Sequence, residues 1–148
     1  MDLLSPVIGK LKQIETVDDE MFATKMLGDG VAILPRDPRI VSPADAEVTA
    51  VFPTGHAIGL KTAEGIELLL HLGIDTVALK GNFFQSNVQL NQSVKAGELL
   101  VDMDFSSIKE AGYDTDVMLI ITNTAGKSIE KKASLGEVDC ATPILTIK

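Results

Sequence analysis

At 148 residues the chain is long enough to bury a core without disulfides or a structural metal, and with 45% hydrophobic residues, 4% aromatics and no Trp that core must be built from Val, Ile, Leu and Ala. Thirteen basic against 21 acidic side chains leave a formal charge of -8, which argues against nucleic acid as a partner, because such binders need Lys and Arg to neutralise phosphates. Cys140 is the only cysteine, so there is no internal disulfide, and no apolar run reaches the roughly 18–20 residues that cross a bilayer as a helix.

The chain opens Met1-Asp2-Leu3-Leu4-Ser5-Pro6, without the basic and apolar regions of a secretory signal. A cytoplasmic protein with no direct membrane insertion is therefore expected, and any link to a membrane should run through a partner. A short helical turn is expected over 18–23. Then come apolar runs of four to eight residues bounded by Gly, Pro, Asn or Asp, at 31–34, 47–52, 57–60, 66–72, 98–103, 117–122 and 143–147, each the signature of a strand. The breakers between them, such as Gly28-Asp29-Gly30, Pro35-Arg36-Asp37-Pro38 and Asn123-Thr124-Ala125-Gly126, come too often for long helices. One more short helix is expected over 106–111, ending at Gly112. Residues 41–48 and 94–100 each carry a turn followed by a returning strand, a hint of two related halves. The expected fold is all-β, an antiparallel sandwich or barrel of the barrel-sandwich hybrid type with one or two short helices, in a single domain over 1–148.

His56 and His71 are the only histidines, and each lies within an apolar β run. The segment between them reads as strand, four-residue turn 62–65, strand. Pairing Lys61 with Ile66 across that turn puts His56 directly opposite His71, where side chains share a face with Cβ atoms about 4.5–5.5 Å apart. A two-residue turn at Glu64-Gly65 would pair His56 with Gly73 instead. Two imidazoles partly desolvated together resist double protonation, and a neutral ring keeps a lone pair that serves as a phosphoryl nucleophile or a metal ligand. Thr54, two residues before His56, can use its hydroxyl to fix an imidazole tautomer or to hydrogen-bond a phosphate. Gly73, two after His71, offers a carbonyl to Nδ1–H, which leaves Nε2 to attack.

The run Gly55-His56-Ala57-Ile58-Gly59-Leu60-Lys61-Thr62, followed by Glu67-Leu68-Leu69-Leu70-His71-Leu72-Gly73-Ile74-Asp75-Thr76-Val77, closely resembles the IIA domain of the glucose family of the bacterial phosphoenolpyruvate-dependent sugar phosphotransferase system. The stretches 22–33, 42–45, 94–97 and 142–145 extend the likeness over nearly the whole chain. The resemblance implies a shallow apolar depression holding both histidines. His71 would be the phosphoacceptor on Nε2, loaded by the phosphohistidine carrier protein HPr. His56 would hold the phosphoryl oxygens with Thr54 in support, and the group would pass to a cysteine of the IIB domain of a sugar permease. By the same likeness Phe22, Phe52, Leu69 and Val77 belong to an apolar docking rim, and Asp19 and Asp75 would meet basic residues of the carrier. Regulatory target proteins are further candidate partners. A monomer is favoured, since a shuttle must expose one face to successive partners.

Two other classes compete. A zinc-binding regulatory or interaction module would use His56 and His71 as ligands, but zinc sites draw on at least three protein ligands, so Asp75 or a partner would have to supply another. A lipoyl- or biotin-type carrier needs a lysine at a hairpin tip, and the turn Ser42-Pro43-Ala44-Asp45 contains none. The phosphocarrier needs no cofactor.

Overall fold

A computed structural model describes residues 1–131 and 135–148. Its strands among those residues are β1 Asp2–Leu4, β2 Gly9–Gln13, β3 Asp29–Pro35, β4 Arg39–Val41, β5 Ala46–Val51, β6 Ala57–Lys61, β7 Glu67–Leu72, β8 Phe84–Ser86, β9 Ser93–Val94, β10 Leu99–Met103, β11 Val117–Asn123, β12 Ile129–Lys131, β13 Gly136–Val138 and β14 Pro143–Ile147. Two short helices complete them, α1 Glu20–Ala23 and α2 Phe105–Glu110. Every expected strand and both short helices form, each within two residues of its expected ends. The short strands β1, β2, β4, β8, β9, β12 and β13 were not foreseen.

Among the described residues all strand pairs are antiparallel. One sheet runs β13-β2-β3-β11-β7-β6-β5-β9, and two three-stranded sheets run β1-β14-β12 and β4-β10-β8. The look-alike segments of the sequence are neighbours in space. β4, before the first turn, pairs with β10, after the second; β5, after the first, pairs with β9, before the second. Their turns also interlock, with Gly97 N–H donating to the Ser42 carbonyl and Ala96 N–H to the Asp45 carboxylate. This reciprocal pairing gives the two-halves pattern a structural form.

The centre of the large sheet is buried on both faces, which is why 117–121 is apolar without alternation. Val117, Leu119 and Ile121 point into the main core with Leu68, Leu70 and Leu72. Met118 and Ile120 point the other way, into a second cluster with Ile14, Val17, Phe22, Ala32 and Ile74. That cluster exists because residues 14–23, a 3-10 turn at Ile14–Thr16 and then α1, cross the outer face of the sheet. Burying each such large apolar side chain contributes about 1.5–3 kcal/mol. Asp19 starts α1 by accepting the Met21 N–H at 2.9 Å, satisfying a donor that the helix leaves open. His71 lies on this same outer face, opposite Met118 of β11.

Candidate active site

The hairpin of β6 and β7 brings the histidines together, but in a register one residue away from the expected one. His71 stands opposite Ala57, and Lys61 opposite Glu67. The turn holds five residues, Thr62 to Ile66, rather than four. Thr62 N–H donates to the Ile66 carbonyl at 2.9 Å, and the Thr62 hydroxyl accepts Ile66 N–H at 3.2 Å. The side chain of Thr62 thus adds a bond that backbone turn chemistry alone does not reveal. His56 therefore faces Leu72, whose N–H donates to its carbonyl at 2.7 Å. It sits just outside β6, past Gly55 at φ +70°, and so escapes the strict alternation of a strand. The two rings still meet edge to face, with centroids 5.1 Å apart and planes at 75°.

Each ring is fixed from behind by the residue two positions away. The Thr54 hydroxyl and His56 Nδ1 share a short hydrogen bond. His71 Nδ1–H donates to the Gly73 carbonyl at 2.8 Å, which leaves the lone pair on Nε2. The Phe22 ring leans on His71 at 4.8 Å, and Phe52 on His56 at 5.4 Å. His56 is 7% exposed and His71 half-buried. Burial holds the pKa of both rings below the usual 6.5. For His71 desolvation is the largest cause. The Gly73 carbonyl opposes it, His56 reinforces it, and the carboxylates of Asp19 and Asp75 pull weakly the other way.

The rings open into a depression of about 410 Å³. Asp19, Phe22, Phe52, Leu69, Asp75 and Val77 all line it, as does the pair itself. Phe52 and Val77 are exposed at its rim, whereas Phe22 is buried as part of its floor. Thr54 and Gly73 lie behind the rings. Met21, Leu27 and Ala57 also line the depression and were not singled out from the sequence; for Met21 the available signal was an apolar residue inside an otherwise polar turn at 18–21. Among the described residues no group of three or more His, Cys, Asp or Glu is arranged to hold a metal ion. The zinc reading, which needed a further ligand beside the two rings, finds no support in this donor set.

Residues 1–127 match the family model of the phosphoenolpyruvate-dependent sugar phosphotransferase system, EIIA 1. The chain belongs to this family. As an EIIA chain it is 39% identical over 146 residues to the PTS system glucose-specific EIIA component of Bacillus cereus, covering 98% of this chain and 88% of that protein. It is also 42% identical over 125 residues to the PTS system glucosamine-specific EIICBA component of Bacillus subtilis, where the match spans 84% of this chain and 20% of that longer protein. The solved glucose permease IIA from Mycoplasma capricolum superposes on the EIIA fold with a TM-score of 0.92 at 37% identity, over 98% of this chain and 94% of that one. The all-β fold and the family expected from the sequence are both those found. No helix among the described residues is long and apolar enough to cross a membrane.

Proposed function

We propose that residues 1–148 form one cytoplasmic, monomeric phosphocarrier domain that takes a phosphoryl group from HPr on His71 Nε2 and gives it to a cysteine of a permease IIB domain. The observation that carries this is the Gly73 carbonyl on His71 Nδ1–H. It assigns the free lone pair to Nε2 of a ring whose neutrality is supported by burial, which is the state a nucleophile requires.

In the loading step the carrier's N–P bond breaks as the Nε2–P bond forms, and no proton has to move, since Nδ1–H stays on the Gly73 carbonyl. The ring then carries positive charge, which that carbonyl and the nearby Asp19 and Asp75 carboxylates favour; both carboxylates raise the His71 pKa. When the Thr54 hydroxyl donates to His56 Nδ1, His56 Nε2 bears a proton and donates to a phosphoryl oxygen. Such a transfer asks the protein chiefly for positioning and aimed donors. In the unloading step a cysteine thiolate attacks phosphorus, the S–P bond forms and the Nε2–P bond breaks. No cofactor enters either step. The apolar depression and its acidic margin provide the docking surface for both partners.

Incubation with phosphoenolpyruvate, enzyme I and HPr, followed by intact-mass analysis, tests the reading. The wild type should gain about 80 Da, labile to acid, and His71→Gln should gain nothing. A wild type that stays unmodified while HPr is loaded overturns it.

A further inference from the structure

Among the described residues Gly73 is the one backbone acceptor on His71, and the two peptide planes that meet at its α-carbon carry four polar groups. Three of these are tied elsewhere. Gly73 N–H donates to the Asp116 carbonyl at 2.9 Å, and Ile74 N–H to the Asp114 carbonyl at 3.0 Å. The Leu72 carbonyl accepts from the Thr76 hydroxyl at 2.6 Å. The fourth group, the Gly73 carbonyl, is left facing His71 Nδ1. Of the three anchors, only that from Thr76 is a side chain.

Thr76 also fills the space beneath the turn. It is 0% exposed, and a Cβ on Gly73, whose φ is +78°, would lie 2.5 Å from the Thr76 methyl and 3.4 Å from its hydroxyl oxygen. One branch of this side chain therefore packs under Gly73 while the other holds the preceding peptide. Asp75, between them, adopts φ +59°, which brings Thr76 back under the turn.

We propose that Thr76 is a positioning residue for the phosphoacceptor. Its hydroxyl fixes the Leu72–Gly73 peptide, so that the next carbonyl stays on His71 Nδ1 and Nε2 remains the unprotonated nitrogen. The inference rests on the reading of His71 as the nucleophile, yet its primary readout, the imidazole tautomer, needs no phosphoryl transfer.

Nitrogen-15 spectra of the full chain at a pH where the rings are neutral report which nitrogen carries the proton. In the wild type His71 should show protonated Nδ1 and bare Nε2. Thr76→Val keeps the shape and loses the donor, and it should shift His71 to a mixture of tautomers. Its loading rate from HPr should fall roughly tenfold, less than the ~100-fold that a 1 Å misplacement costs. Thr76→Ser restores the hydroxyl and should restore the wild-type tautomer. If Thr76→Val does not fold, Thr76→Cys, a weak donor of similar size, is expected to give the same mixture. A valine or cysteine variant with the wild-type tautomer overturns the role of Thr76, whereas a wild type with bare Nε2 that cannot be loaded overturns the phosphocarrier reading instead.

Discussion

A histidine ring withdrawn from water loses the hydration that stabilises its charged form, so His56 and His71 stay neutral to a lower pH than the usual 6.5. The unfolded chain therefore takes up protons at both rings from about pH 6.5 downward while the folded chain does not. Their contribution to stability is complete above pH 6.5 and is lost as pH falls toward the folded pKa values. Asp29 and Asp37, whose pKa values lie below 3.8, lose their stabilising effect only at lower pH. Urea midpoints should thus decline between pH 7 and 5 in the wild type, and less in a His56→Gln/His71→Gln chain. Equal declines would contradict the burial effect on the rings. For His56 alone, His56→Gln should still accept phosphate on His71 but pass it on more slowly, by an order of 10²-fold if its Nε2–H serves the phosphoryl oxygens; single-turnover transfer to a IIB domain measures this. At this scale the sequence was informative because the chemistry lies in residue types and short spacings: two histidines, with Thr54 and Gly73 two positions away. What stayed hidden was the hydroxyl bond of Thr62 that lengthens the hairpin turn, because it depends on a side-chain rotamer and not on composition.

Between single residues and the whole sheet, the pairing of β3 with β11 shows what positions the site. Gly30 of β3 stands opposite Ile120, and a Cβ there would lie 2.0 Å from the Leu119 carbonyl oxygen. The obstacle is backbone, not a flexible side-chain tip, so β3 and β11 would have to separate. Gly30→Ala should therefore lower stability by about 1–3 kcal/mol or more, read as a lower urea midpoint at unchanged slope. Because Met118, two residues from Ile120, stands opposite His71, the same variant should load from HPr more slowly than its folded fraction explains. The long central strands were legible, since runs such as 117–121 and 66–72 carry enough Val, Ile and Leu to declare themselves. β1, β8, β9 and β12 were not: strands of two or three residues hold too little periodicity, and their pairing is decided by neighbours distant in sequence, as with β1 on β14. Of the segment 14–23 only residues 18–23 were legible, as a helical turn. Its role as the cover of the outer face follows from contacts of Ile14, Val17 and Phe22 that spacing does not specify.

For the molecule as a whole, the β pattern and its frequent breakers pointed to the fold class, whereas the division into one eight-stranded and two three-stranded sheets depends on long-range pairing that single-sequence periodicity does not encode. Charge was legible from the start, but its use came only from the family resemblance: a net -8 serves solubility in most proteins, whereas the likeness pointed to Asp19 and Asp75, and the structure sets both carboxylates beside an apolar depression. Their contribution to docking can be isolated without disturbing the fold. Asparagine caps a helix as well as aspartate does, so Asp19→Asn keeps the Met21 N–H satisfied. It also tolerates the left-handed region, so it suits Asp75 at φ +59°. Both carboxylates raise the His71 pKa, and removing them lowers it further, which leaves the ring neutral above pH 7 and the nucleophile intact. The part of any change in loading rate at that pH that salt removes then reports attraction between the proteins, and a difference that persists at high salt reports the lost support for the charged ring. Opposite charges speed encounter, and salt screens them over about 10 Å at 0.1 M. The Asp19→Asn/Asp75→Asn chain should therefore load from a basic-faced HPr several-fold more slowly than the wild type at low ionic strength, with the gap between the two rates narrowing toward about 0.5 M salt. Stopped-flow rates across a salt series decide the matter: parallel salt dependences would place the attraction elsewhere on the acidic surface.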